Sequence, residues 1–171
     1  MIDFTPTVRL LELRDAEMYL GFLCALDSQS PFMHYRSGER SMTVQGMRSR
    51  IKKQEKQGNS FVVLAFGLDD KPIGYFSVNG GNSFSTAQSA TVAVGVIKQY
   101  RSNGVANKML AMALAQSVLR GVRRWECTVV SDNKEAVSFY MNNDFRLSGY
   151  FRDRFYDGEK CHDELILELI L

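Results

Sequence analysis

Between Ala90 and Leu110 the chain reads ATVAVGVIKQYRSNGVANKML. The first part, with Thr91, Val92, Val94, Val96 and Ile97, is apolar and largely β-branched, which suits a buried strand. A polar, glycine-containing turn interrupts it from Gln99 to Gly104. An apolar helix pattern then runs from Val105 to about Leu119, and Gly121 stops it. A strand, a tight turn and a helix start in immediate succession leave the first helical N–H groups without internal partners. The helix dipole adds partial positive charge there, so the junction suits an anion.

Periodicity divides the rest of the chain. Val8 to Leu13 predicts a first strand. Asp15 is placed to cap a helix from Ala16 to about Asp27, with Tyr19, Phe22, Leu23 and Leu26 on one face. A loop from Ser28 to Arg40 precedes a second helix, Ser41 to Gln57, ended by Gly58-Asn59; its many charges read as a solvated face. Two apolar strands, Ser60 to Phe66 and Ile73 to Val78, flank the hairpin signal Asp69-Asp70-Lys71-Pro72. After a polar connection, Gly80 to Ser89, comes the central strand, Ala90 to Ile97. The helix from Val105 is apolar almost all round, with a narrow polar stripe at Lys108, Gln116 and Arg120, and is expected to lie deep against a sheet. A strand at Trp125, a helix from Asn133 to Asn142 and strands near Phe145 to Tyr156 and Leu165 to Leu169 complete the order β-α-α-β-β-β-α-β-α-β-β. At 171 residues the whole chain, 1–171, is expected to be one domain with a full-sized core.

Three segments carry a resemblance. Arg101-Ser102-Asn103-Gly104-Val105-Ala106 fits Arg/Gln-x-x-Gly-x-Gly/Ala, a pattern that an ordinary strand-to-helix turn also satisfies by chance. Trp125 to Phe145 fits V-x-x-x-N-x-x-A-x-x-x-Y-x-x-x-G-F through Val129, Asn133, Ala136, Tyr140 and Phe145. Asp144 stands where that pattern has Gly; Asp tolerates left-handed backbone angles better than most residues. Ser148 to Arg152, Tyr156-Asp157-Gly158 and Asp163-Glu164-Leu165 form a third stretch. Together these resemble the GCN5-related N-acetyltransferases, the GNAT family, near its ribosomal-protein and small-amine acetyltransferases. The resemblance is good from about Phe61 onward and weak before it.

That resemblance implies an α/β (α+β) GNAT fold: a mixed, mostly antiparallel central sheet with helices on both faces. It implies acetyl-CoA as cosubstrate and an amine as acceptor. The pyrophosphate would rest on the main-chain amides of Arg101, Ser102, Asn103, Gly104, Val105 and Ala106, with Asn107 next. The pantetheine arm would pair with the free edge of Val94, Gly95 and Val96. Asn133 would contact that arm, and Tyr140 would hydrogen-bond or protonate the leaving thiolate. Their spacing of seven places them on nearly one helix face, roughly 10 Å apart. Asn133 also reads as a helix cap and Tyr140 as a core residue.

GNATs often set a Glu near the central strand as a base. This chain has Gln88, Ser89 and Thr91 there, leaving Glu126 or His34, acting through water, as alternatives. Positioning and polarisation of the thioester can carry the reaction without a strong base. An acceptor with a low-pKa amine, such as a peptide N-terminus, is then favoured over a lysine side chain. Phe32, His34, Tyr35 and Phe84, from the loop Ser28 to Arg40 and the connection Gly80 to Ser89, are expected on the acceptor side. The alternative is a catalytically silent acyl-CoA-binding module.

Other classes fit poorly. A net charge of +2 argues against a nucleic-acid protein. Neither Gly-x-Gly-x-x-Gly nor Gly-Lys-Ser/Thr occurs, which argues against a Rossmann or P-loop site. Cys24, Cys127 and Cys161 are too few and too scattered for a disulfide framework and suit a reducing cytosol. Cys161-His162-Asp163 sits on a predicted strand, where neighbours face opposite ways, so no metal site is expected. No apolar run approaches the ~20 residues of a membrane span, and MIDFTPTVRLLELRD does not read as a signal peptide. A cytoplasmic monomer or homodimer is expected.

Overall fold

The computed structural model describes residues 5–171. The readings of the first residues, the leader test and the N-terminal end of the domain, lie in part outside that range. Seven strands and four helices follow in the expected order: β1 Thr7–Leu10, α1 Ala16–Asp27, α2 Val44–Gln57, β2 Phe61–Phe66, β3 Pro72–Gly80, β4 Ser89–Val96, α3 Val105–Leu119, β5 Arg124–Val130, α4 Lys134–Met141, β6 Arg146–Tyr156 and β7 Cys161–Ile170. No helix among the described residues is long and apolar enough to cross a membrane.

One sheet runs β1-β2-β3-β4-β5-β7-β6. All its pairings are antiparallel except β4 with β5. Alternation along the strands sorts side chains onto two faces. Val63, Ala65, Phe76, Val78, Val92 and Val96 face α3 and α4, where Met109, Trp125, Tyr140 and Phe145 complete one core. Val62, Leu64 and Phe66 face α1 and α2 and pack on Leu23, Leu26, Met47 and Ile51 in a second core. The indole of Trp125 is fully buried, and its Nε1 donates to Ser117 Oγ at 3.1 Å, so the deepest polar group is satisfied.

Several expectations need correction. The first strand ends at Leu10, and residues Leu13–Asp15 form a single 3-10 turn. Asp15 does occupy the N-cap position of α1, but its carboxylate makes no cap hydrogen bond there: it takes both Arg9 terminal nitrogens, at 2.6 and 2.8 Å, and the Glu12 N–H at 2.9 Å. The second helix starts at Val44, because the Thr43 hydroxyl accepts the Gly46 N–H and sets the N-cap there. Helix α3 is buried along one face only; Val118 and Leu119 at its far end are 63% and 79% exposed. Apolar residues all round made it look deeper than its single sheet contact allows. Asp144, by contrast, does take a left-handed backbone, φ 65°, and the Phe145 N–H closes back on the Tyr140 carbonyl at 3.1 Å.

Candidate active site

The parallel pair β4–β5 is short. Only Ser89–Thr91 pair with Arg124–Glu126. Beyond Thr91 the two strands part, while β4 stays bonded to β3 up to Val96 and β5 to β7 up to Val130. The β5-facing edge of residues 92–96 is therefore left open. A cleft of about 1100 Å³ runs through this opening, from the turn after β4 to the loop between α1 and α2. Val94, Gly95, Val96, Arg101, Ser102, Gly104, Val105, Ala106, Asn107, Asn133 and Tyr140 all line it. Asn103 does not; its side chain turns back to donate to the Arg101 carbonyl at 2.8 Å.

At one end, Ser102 and Gly104 both have positive φ, 58° and 74°. The first main-chain hydrogen bond of α3 is from Lys108 N–H to the Gly104 carbonyl. The N–H groups of residues 102–107 have no acceptor among the described residues. Successive free amides in such a turn form a concave donor set for an anion. A Cβ added at Gly104 would meet nothing within 4 Å, so the space over the turn is open. Arg101 braces the turn, donating from Nε to the Val96 carbonyl at 3.0 Å and from NH1 to Glu135 at 3.2 Å. It thereby ties the end of β4 to the first turn of α4.

In the middle of the cleft stands Tyr140. Its ring is 3% exposed and packs edge-on against Phe145, centroids 4.9 Å apart. Its hydroxyl lies beside the Cys127 thiol and the Val94 main-chain amide, across the opened strands. Burial pushes the phenol well above its ordinary value and the Cys127 thiol up to about 12. Both groups thus stay protonated near neutral pH. Asn133 is the N-cap of α4: its Oδ1 accepts the Ala136 N–H at 3.2 Å. Its Nδ2 has no acceptor among the described residues and remains available on the cleft side.

The other end of the cleft lies on the α1/α2 side of the sheet. Tyr75, Ser77 and Asn79 of β3 and Thr91, Ala93 and Gly95 of β4 alternate onto this face, with Tyr19 and Leu23 of α1 and Arg50 of α2 around them. Phe32, His34 and Tyr35 line it as expected, and the His34 and Tyr35 rings meet edge-on at 4.9 Å. Phe84 does not: it is 98% exposed. The connection Gly80 to Ser89 is held away, since Asn59 Nδ2 donates to the Gly81 and Ala87 carbonyls at 2.9 and 3.0 Å. Glu126 also lies outside the cleft and bonds Arg124 at 2.7 Å. Two carboxylates do reach it: Glu135 of α4, 3.2 Å from Arg101, and Glu164 of β7, 3.2 Å from Arg154. Glu164 lies in the resembling stretch Asp163-Glu164-Leu165, but nothing local gives it a site role, because only the β5–β7–β6 register brings it to the cleft. Tyr19, Tyr75 and Arg50 were equally silent, each lying within an ordinary helix or strand pattern.

The model of the Acetyltransferase (GNAT) family matches residues 23–145. The chain belongs to this family. A comparison with curated proteins finds no match. Among solved structures, a GNAT-family acetyltransferase from Streptococcus pneumoniae superposes with a TM-score of 0.91 at 22% identity, over 98% of this chain and 100% of that one. The protein yncA from Salmonella typhimurium, solved with its cofactor acetyl-CoA, gives 0.84 at 12% identity, over 98% and 94%. Ribosomal-protein-alanine N-acetyltransferase from Brucella melitensis gives 0.82 at 15% identity, over 96% and 99%. At these identities the likeness is one of fold. The cosubstrate of GNAT enzymes, acetyl-CoA, carries a pyrophosphate and an amide-bearing arm. The open amide turn at 102–107 and the unpaired edge at 92–96 are donor and acceptor sets of the matching kinds.

Proposed function

We propose that the chain, as a single domain over 1–171, is an N-acetyltransferase that moves an acetyl group from acetyl-CoA to a primary amine. One observation carries this reading: the amide turn, the open β4 edge and the protonated Tyr140 hydroxyl share a single continuous cleft. Bound acetyl-CoA supplies an activated acetyl thioester, whose C–S bond gives way to a C–N bond. The amides of Ser102, Gly104, Val105, Ala106 and Asn107 hold phosphate. The edge of Val94, Gly95 and Val96 orients the arm, and Asn133 adds its side-chain amide. Tyr140 holds a proton at its oxygen, placed to hydrogen-bond or protonate the departing sulfur; burial raises its pKa and keeps that proton in place at neutral pH. The acceptor's own proton leaves through water, with His34 the one histidine lining the cleft.

Incubation of the protein with acetyl-CoA and a panel of amines, read as thiol release, tests the assignment. Acetylated product with at least one amine is the expected result. Tight acetyl-CoA binding without turnover on any amine, peptide N-termini included, would leave the silent binding module instead. The residues at Gln88, Ser89 and Thr91, none of them a carboxylate, are what give that second reading its footing.

A further inference from the structure

The acceptor end of the cleft has an unusual charge inventory. Arg40 is committed: its Nε and NH2 hold the buried Asp27 carboxylate at 2.6 and 2.8 Å. Glu164 is paired with Arg154, and Glu135 with Arg101 near the amide turn. Arg50 has no ion pair or hydrogen bond to any described residue, yet it lines the cleft. One turn along α2, Gln54 Nε2 donates to Asn79 Oδ1 at 3.1 Å and fixes this part of the helix against β3. An uncommitted, solvent-exposed cation thus lines the cleft from a helix turn that is fixed against the acceptor floor.

Two phenols accompany it. Tyr19 is 6% exposed and Tyr75 stands beside it, their rings edge-on at 6.2 Å. Neither hydroxyl has a hydrogen-bond partner among the described residues, and both lie in the field of Arg40 and Arg50. Burial pushes both phenols above their ordinary value, so each is a donor. Their hydroxyls open into the cleft, and a donor set around a free guanidinium suits an acceptor with negative charge. A polycation would find no unpaired carboxylate among the described residues at this end.

We propose that this end of the cleft takes an amine that also carries a carboxylate, with Arg50 as the counter-ion and Tyr19 and Tyr75 as hydrogen-bond donors. Leu23, Phe32 and Met33 give the site apolar walls, so an amino acid with an apolar side chain fits best. A peptide with a free N-terminus and an acidic neighbour presents the same chemistry from a second source. The proposal rests on the acetyltransferase reading and names its substrate class; it shifts the expectation from a peptide N-terminus to a free amino acid.

The test uses the full chain with L-phenylalanine, L-phenylalaninamide, phenethylamine, spermidine and the dipeptides Phe-Asp and Phe-Ala amidated at their C-termini. Turnover is read as kcat/KM by thiol release, and binding without acetyl-CoA by NMR titration. L-Phenylalanine should exceed its amide by at least tenfold, against intrinsic reactivity, since the amide has the less basic amine and more free base at neutral pH. Arg50→Gln should erase that ratio mainly through KM, Arg50→Lys should restore part of it, and acetyl-CoA affinity should hold in both. A preference for the Phe-Asp peptide over both L-phenylalanine and the Phe-Ala peptide, lost in Arg50→Gln, would assign the same site to peptides. Equal use of the amide, a preference for spermidine, or an unchanged ratio in Arg50→Gln would overturn the proposal while leaving the acetyltransferase reading intact. Without turnover on any amine, Arg50-dependent binding of L-phenylalanine supports the site and removes the transferase; no such binding removes both.

Discussion

His162 Nε2 lies 2.6 Å from Asp157 Oδ2, within the β6–β7 hairpin. The other ring nitrogen, Nδ1, lies 2.8 Å from Asp132 Oδ2, in the turn that leads into α4. The imidazole, 6% exposed, therefore ties the hairpin tip to the turn that carries Asn133. Lys160 Nζ, 3.7 Å from Asp132, and the Phe155 ring are its other neighbours.

This arrangement sets a pH window. The hydrogen bond to Asp157, followed by that to Asp132, raises His162 above its ordinary 6.5. The Lys160 N–H and then His162 hold Asp157 below its ordinary 3.8, and His162 holds Asp132 below it too. The histidine's contribution is full below pH 6.5 and disappears as pH rises through the raised folded value. The carboxylates' contribution is full above 3.8 and disappears as pH falls through the lowered values. The Tm difference between wild type and His162→Gln should be greatest between those limits and shrink at alkaline pH. An equal difference at pH 5 and pH 9.5 would mean that the clamp does not depend on the charge of the imidazole.

Gly104→Val should weaken acetyl-CoA binding by about tenfold or more. The left-handed backbone there strains a β-branched residue by ~1–3 kcal/mol, and the new side chain would occupy the open space above the amide turn. Calorimetry on the folded variant reads the effect. Unchanged affinity would move the phosphate site elsewhere.

Tyr140→Phe should keep acetyl-CoA affinity, because the ring contacts with Phe139 and Phe145 survive. Turnover should fall by ~10²–10⁴-fold, the range of a positioned proton donor. Equal turnover across the pH range would reduce Tyr140 to a packing residue.

The rate should follow the acceptor's own deprotonation. Glu126 lies outside the cleft on Arg124, so Glu126→Gln should leave the pH profile of kcat/KM unmoved. A profile that rises with the acceptor's pKa fits a site working by positioning. A plateau near pH 6–7 that His34→Ala abolishes would identify a base in the acceptor loop.

Local chemistry alone made much of this protein legible. The strand-turn-helix at Ala90 to Leu119, the end of α2 at Gly58 and the left-handed Asp144 all follow from neighbours within a few residues, where propensity and backbone freedom act directly. The order of elements and the spacing of Asn133 and Tyr140 were readable for the same reason. What only the tertiary structure decided are relations across long separations. Asp15 could cap a helix, but Arg9 outcompetes that role once β1 brings the guanidinium alongside. The parting of β4 and β5 after Thr91 depends on pairing with β3 and β7, and it creates the cleft that exposes the β4 edge to Tyr140. Glu164 enters that cleft, and Glu126 and Phe84 leave it, through strand register and the Asn59 anchor. Arg50, Tyr19 and Tyr75 come together because two helices pack on one sheet face, and no pattern in a single segment encodes which side chains will meet there without partners.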